Sequence, residues 1–325
     1  MRRLRLLLVA LALLTLAAKP PAEKIVVNII ATSDLHGYLL PFDYYTNRPA
    51  NRGLAKAATI IRRLRKADPQ ALLIDCGDTI QGSPLSDVYA KSGGKSTPNP
   101  LPNPMMAAMN ELDYDEMVVG NHEFNFGQEF MLRAKAEAHF PWIAANILPT
   151  ANEEEAIAIH DRNFGVARRT LEERVLLPMT VEEIHGVQVA IIGLTTPAIP
   201  SFERPENIEN YSFSSALDAA REWVKYAHET RHADVVIIAA HMGLERGLDD
   251  PAPFPSQLPG ENQIYEIAQK VPGIDGIVFG HTHQELAGKS VNGVILLQPK
   301  SWGQSVGHMT ISLERGDDEI GRAHV

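Results

Sequence analysis

A chain of 325 residues, 45% of them hydrophobic, holds enough apolar material for one large globular core, and its length alone would also allow two domains. The formal net charge is −10, and loss of Arg2, Arg3 and Arg5 with an N-terminal leader would take it to −13. That balance excludes a nucleic acid polymer as partner, because polymer phosphates need a basic surface; small anionic substrates stay compatible, since bound metal ions reverse the potential locally.

In chain order, MRRLR followed by the apolar run 6–18 gives residues 1–18 the basic and apolar regions of a secretory signal peptide, with Ala17 and Ala18 near a cleavage point. The run is short for a bilayer span, which needs about 20 residues. The other reading is an uncleaved N-terminal anchor; beyond that, no stable membrane association is expected. A strand is predicted at 24–32, an amphipathic helix at 54–67 and a strand at 71–75 after the Asp68-Pro69 breaker. Cys76 follows as the only cysteine, so no disulfide can form within the chain, and its place at the end of an apolar run reads as packing. A Pro-rich loop at 91–104 precedes a helix at 105–112, a strand at 117–119 and a helix at 128–138. The segment 150–172 is charged and irregular.

Strands at 175–184 and 187–194, joined through His185-Gly186, read as a hairpin. A helix at 214–229 leads to a strand at 234–240, and a helix at 261–270 to a strand at 275–279. Strands at 288–291, 294–298 and 306–313 close the pattern, the first two linked by Asn292-Gly293, a strong hairpin signal. This alternation argues for an α/β layered fold with helices covering sheet faces. No repeat of helical-repeat length is present. EIGRAHV at 319–325 resembles a translated sequencing adapter, which makes those residues an expected artefactual tail, against the alternative of a natural polar terminus.

Five motifs hang on the ends of apolar runs: SDLHG at 33–37, CGD at 76–78, GNHE at 120–123, HMG at 241–243 and GHTH at 280–283. Asp34 and His36 are two apart, so in an extended segment they share one side and can bind one ion together; His281 and His283 repeat the spacing. The glycines Gly37, Gly77, Gly120, Gly243 and Gly280 are expected to let the backbone turn beside the ions. Alone, His241 would read as a satisfied core histidine, and Asp34 or Asp78 as a cap or turn residue. The ordered set, each member after a buried strand at the natural rim of an α/β site, points instead to a pair of divalent cations. Oxygen and imidazole donors without thiolate suit zinc, manganese, iron, cobalt or nickel. Two ions sharing a bridging hydroxide would serve displacement at phosphorus. The seven other histidines, at 139, 160, 185, 228, 232, 308 and 324, are assigned to surface or turns.

With these motifs, the chain from 24 to 313 resembles the calcineurin-like metallophosphoesterases, specifically the secreted 5′-nucleotidase and 2′,3′-cyclic-nucleotide phosphodiesterase superfamily. The resemblance implies a four-layer αββα sandwich with mixed sheets and a periplasmic or extracellular location. It places Asp34, His36, Asp78 and His283 on one ion, and Asp78, Asn121, His241 and His281 on the other. It gives His122 the role of stabilising the transition state and helping the leaving oxygen depart, beside Asn121, and leaves Glu123 to brace the loop.

FDYY at 42–45, GDTIQGSPLSD at 77–87, GNHEFNFG at 120–127 and SWGQSVG at 301–307 look most like bifunctional 2′,3′-cyclic-nucleotide 2′-phosphodiesterase/3′-nucleotidases. Typical 5′-nucleotidases have GNHEFD, with an aspartate orienting the histidine; Asn125 stands there in this chain. An asparagine can hydrogen-bond imidazole but cannot stabilise its charged form as a carboxylate does. Small nucleotides are thus the implied substrates. A 5′-nucleotidase or UDP-sugar hydrolase is the alternative enzyme, and a metal- or nucleotide-binding module without turnover is the alternative of another class. Full-length relatives also carry a C-terminal domain that stacks the base, and the chain is expected to stop before it.

Overall fold

The computed structural model describes residues 23–92, 101–150, 176–249, 252, 254, 258–315 and 320–322. The expected signal peptide at 1–18 lies outside them, as does the charged segment at 150–172 apart from Thr150. The chain divides into two compact units, a large one of 27–311 and a small one of 1–26 and 312–325. In the small unit, strand pairing sets Leu313, Glu314 and Arg315 against Arg322, Gly321 and Ile320, so part of the tail at 319–325 is strand.

The large unit is built on two mixed sheets. In the first, β1 (Glu23–Thr32, within this unit from Val27), β4 (Leu72–Asp75), β5 (Glu116–Val118) and β6 (Trp142–Ile143) are parallel neighbours, with β15 (Gly307–Arg315, within this unit to Ile311) beyond β1. In the second the order is β13 (Leu286–Val291), β14 (Val294–Gln298), β12 (Gly276–Phe279), β11 (Val235–His241), β9 (Val187–Thr195) and β8 (Met179–Ile184). Its four middle strands are parallel and its two edges antiparallel. Short hairpin strands β2 (Phe42–Asp43) and β3 (Arg48–Pro49) pair together, as do β7 (Ile147–Pro149) and β10 (Tyr211–Phe213).

Period-two alternation sorts the buried side chains of each sheet. Ile30, Leu73 and Met117 join the helices Leu54–Ala67, Pro104–Glu111 and Gln128–Glu137 in one core, while Ile192, Ile238 and Ile277 join the helices Ala216–Glu229 and Ile264–Lys270 in another. The alternate residues, among them Ile29, Leu72, Ile191 and Ile237, are equally buried between the sheets. The sheets touch directly: a Cβ on Gly193 of β9 would lie 2.6 Å from the Ile143 carbonyl carbon of β6. Strands covered on both faces read as continuous apolar runs, as VVIIAA does. The result is an αββα sandwich with mixed sheets, as expected from the family resemblance.

Local chemistry sets the element ends. The Asn103 side chain caps its helix by accepting from the Met105 and Met106 N–H groups, with Pro104 in the first turn, and Ser215 caps Ala216–Glu229 through the Asp218 N–H. Both two-residue hairpins place both central residues at positive φ, His185-Gly186 at 51° and 75° and Asn292-Gly293 at 51° and 83°. The second helix among the described residues, Pro84–Ser92, starts inside a segment read only as motif and overruns the predicted loop at 91–104. Cys76 is fully buried, as expected of packing.

Candidate metal centre

Both sheets contribute loops to one site. Asp34 and His36 follow β1, Asp78 follows β4, Asn121 and His122 follow β5, His241 ends β11, and His281 and His283 follow β12. All five strands deliver these residues at their carboxyl ends, where an open parallel sheet builds its sites.

The backbone there is not extended. Asp34, His36, Asp78, His281 and His283 take φ of 51°, 48°, 59°, 77° and 55°, a region that non-glycine residues enter rarely, in tight turns and at functional sites. Hydrogen bonds hold it: the Asp34 N–H donates to Gly77 O at 2.9 Å, and the His36 N–H to Asp78 O at 2.8 Å. The geometry predicted from two-residue spacing is therefore corrected. Asp34 and His36 do reach one cluster, but through left-handed turns, and His281 and His283 part into two clusters. The glycines are corrected as well, since of the five only Gly37 and Gly77 have positive φ. The other three leave room for site atoms: a Cβ on Gly280 would fall 1.8 Å from Ser33 Oγ, one on Gly120 2.3 Å from Asp78 Oδ1, and one on Gly243 2.4 Å from Thr282 Cγ2.

Three overlapping groups bring ligand atoms within 4.8 Å of one another: Asp34, His36 and His283; His36, Asp78 and His122; Asp78, His241 and His281. Asn121 joins the last, with its Oδ1 3.2 Å from His241 Nε2. Asp34, Asp78 and His241 are almost wholly buried, whereas the His122 side chain is 38% exposed. Among the described residues, His139, His185, His232 and His308 lie at the surface and half-buried His228 bonds Gly273 O, so none joins the site.

The donor set fits cations. His241 Nδ1 lies 2.7 Å from the Cys76 carbonyl and His36 Nδ1 2.8 Å from the Gln81 carbonyl, so each ring spends its N–H there and turns an unprotonated Nε2 inward. His241 Nε2 then faces two oxygens, Asp78 Oδ2 at 3.0 Å and Asn121 Oδ1 at 3.2 Å, while His36 Nε2 lies 3.0 Å from His283 Nε2. Lone pairs converging in a buried space repel unless a positive charge sits among them. In the metal-free site a proton takes that part: burial opposes charge on His241, yet Asp78, Asp34 and Glu123 outweigh it and push its pKa up to about 10. Burial also opposes ionisation of Asp78, and His241, His122 and His36 overcome it, holding its carboxyl well below the usual range.

A second layer fixes these loops. The buried Glu123 carboxylate accepts from four backbone N–H groups, Asp78 at 2.8 Å, Thr79 at 2.6 Å, Ile80 at 3.2 Å and Gly120 at 2.7 Å, the bracing role expected of it. Asp75 accepts from Thr32 Oγ1, Gly77 N and Thr79 Oγ1. Three contributors carried no sequence signal or only a weak one. Glu261 Oε1 lies 2.9 Å from His281 Nε2, and Glu203 reaches the Asn125 amide beside His122. Trp302, within the SWGQSVG stretch, holds φ of 61° with its N–H on the Asp34 carbonyl.

A model of the calcineurin-like phosphoesterase family matches residues 27–285. The chain is 30% identical to the trifunctional nucleotide phosphoesterase protein YfkN of Bacillus subtilis, over 97% of this chain and 22% of that protein. It is also 30% identical to a 2′,3′-cyclic-nucleotide 2′-phosphodiesterase/3′-nucleotidase of Salmonella typhimurium, over 92% of this chain and 45% of that protein. The crystal structure of calcineurin-like phosphoesterase YfkN from Bacillus subtilis superposes with a TM-score of 0.74 at 28% identity, covering 93% of this chain and 89% of that one. The chain spans less than half the length of these two curated relatives. A family match over most of the large unit, on a sandwich whose strand ends gather buried aspartates and histidines, leads to one conclusion: the chain belongs to the calcineurin-like phosphoesterase family.

Proposed function

We propose that this chain is the catalytic part of a secreted, two-metal phosphoesterase that hydrolyses 2′,3′-cyclic nucleotides and 3′-nucleotides. The observation that carries the reading is the position of Asp78, whose Oδ2 lies 3.0 Å from His241 Nε2, 3.8 Å from His36 Nε2 and 3.9 Å from His122 Nε2. One carboxylate thus stands between two cation-binding groups and beside a partly open imidazole. Asp34, His36, Asp78 and His283 would hold one ion; Asp78, Asn121, His241 and His281 would hold the other. Zinc, manganese, iron, cobalt or nickel suit these donors. When bound, such a pair supplies an activated hydroxide nucleophile and neutralises phosphate charge.

The chain's own groups do the rest. Burial of Asp34, Asp78 and His241 keeps water from competing for the ligand atoms. His122, the most open imidazole of its cluster, holds Nε2 3.9 Å from Asp78 Oδ2 on the exposed side of the site, from where it would stabilise charge on phosphoryl oxygens and give a proton to the leaving oxygen. The nucleotide substrate class follows the named relatives, and Asn125 in place of an aspartate favours their cyclic-phosphodiesterase branch. The secreted part of the reading rests on the leader expected at 1–18; among the described residues no helix is long and apolar enough to cross a membrane.

The test is hydrolysis of 2′,3′-cyclic AMP, 3′-AMP, 5′-AMP, a UDP-sugar and an aryl phosphodiester by metal-loaded protein, beside Asp78→Ala and His122→Ala. Cleavage of the cyclic and 3′ substrates, lost in both variants, is the expected result. Preference for 5′-AMP or the UDP-sugar would move the reading to the 5′-nucleotidases. Silence on every substrate from folded, metal-bound protein would leave a binding module.

A further inference from the structure

We infer that Glu203 is a positioning residue that fixes the orientation of the Asn125 amide and, through it, the tautomer of His122. The inference rests on the reading of His122 as the catalytic imidazole. His122 Nδ1 lies 2.5 Å from Asn125 Oδ1, and Asn125 Nδ2 lies 2.5 Å from Glu203 Oε2.

An asparagine beside an imidazole is ambiguous, because the amide can present its oxygen to an Nδ1–H or its NH2 to an unprotonated Nδ1. The two arrangements demand opposite tautomers. A carboxylate only accepts, so Glu203 requires the NH2 on its own side and leaves Oδ1 facing His122. Nδ1 must then keep a hydrogen in the neutral and the charged ring alike, so the proton given to the leaving oxygen is the second one, held on Nε2 in the charged ring, and its loss leaves the Nδ1–H tautomer.

Glu203 is itself held. Its Oε1 accepts from the Arg204 N–H at 2.7 Å and from Asn207 Nδ2 at 2.9 Å, and its own N–H donates to Ile199 O at 3.0 Å, at the end of the helix Ile199–Phe202. Only Oε2 is left for Asn125. The contact crosses the sandwich: Asn125 belongs to the loop after β5 of the first sheet, and Glu203 to the segment after β9 of the second. A carboxylate remote in sequence thereby acts on His122 through a neutral amide, which no local motif reports.

The decisive experiment is a charge swap in the full chain, assayed with manganese-loaded protein on 2′,3′-cyclic AMP. Glu203→Gln, which removes the acceptor-only group, is expected to lower kcat about tenfold with KM unchanged, the usual order for losing a supporting partner. Asn125→Asp/Glu203→Gln restores the polarity, because the introduced carboxylate accepts from His122 while the introduced amide donates to it, and is expected to return kcat to near wild type. A second readout uses metal-free protein: imidazole 1H–15N correlations should show His122 protonated at Nδ1 in the wild type and the double variant, and mixed tautomers in Glu203→Gln.

Wild-type kcat and tautomer in Glu203→Gln, with activity abolished in His122→Ala, would overturn the inference while sparing the proposed function. A double variant no better than Glu203→Gln would overturn it too, reducing Glu203 to a loop support. Retained activity in His122→Ala would remove the functional reading and this inference with it.

Discussion

Replacing Asp75 by asparagine is expected to stabilise the protein near pH 8 and to change little near pH 4. Asp75 ends β4, is fully buried, and has its pKa raised from 3.8 to about 7. Burial drives the shift; hydrogen bonds from Thr32, Thr79 and the Gly77 N–H offset part of it, and the Glu123 charge adds to it. The folded state therefore holds this proton more tightly than the unfolded chain does. Between about pH 4 and 7 it carries more protons than the unfolded state, so stability from this group falls as pH rises. A shift of roughly three units at about 1.4 kcal/mol each sets an upper bound of roughly 4 kcal/mol, fully expressed above pH 7.

Asparagine keeps the shape and cannot ionise. Its oxygen can accept from Gly77 N–H and the Thr79 hydroxyl, and its NH2 can donate to Thr32 Oγ1, whose hydroxyl then turns to Tyr114 Oη at 2.8 Å. Urea denaturation of metal-free wild type and Asp75→Asn at both ends of the range cancels the titration of every other group. We expect a gain of about 2 kcal/mol near pH 8, half the bound, because the charged form relaxes its surroundings. Equal differences at the two pH values, or a variant less stable near pH 8, would refute the reasoning.

Two further perturbations probe the loops that carry the ligands. Glu123→Gln sets an NH2 against two of the four N–H donors whichever way the amide turns, and each orphaned buried donor costs about 1–3 kcal/mol. Relief of the repulsion from Asp78 returns part of that, so a net loss of about 3 kcal/mol in urea denaturation is expected, and a loss under about 1 would contradict the bracing role. Gly280→Ala meets no backbone strain but places a methyl against Ser33 Oγ and Asp34 Oδ2. It should cost about 1–3 kcal/mol of stability and weaken manganese binding measured by calorimetry. Adding Ser33→Ala should recover part of both, and no recovery would show the clash to lie elsewhere.

Much of the architecture was legible because burial on both faces writes strands as unbroken apolar runs. The strands of β1, β4, β11, β12 and β14 fall within a residue or so of their predicted places, as do the hairpins at His185-Gly186 and Asn292-Gly293. Short elements were not legible: β6 has two residues and the helices Ile199–Phe202 and Pro205–Ile208 four each, too few for any periodicity to register.

The sequence by itself determined which side chains meet, because a buried strand delivers whatever follows it to the common rim of the sheets. Asp34, His36, Asp78, Asn121, His122, His241, His281 and His283 all arrive there. Only the tertiary structure decided how they are aimed. Left-handed turns at five of these residues are imposed by hydrogen bonds between loops, such as Asp34 N–H to Gly77 O, and a spacing rule for extended chain cannot foresee them. The same holds for the groups behind the site. Glu203 lies 78 residues from Asn125 and finds it only because two sheets stack, while Glu261, 20 residues from His281, reaches it because β11 and β12 lie side by side and bring the segments that follow them together.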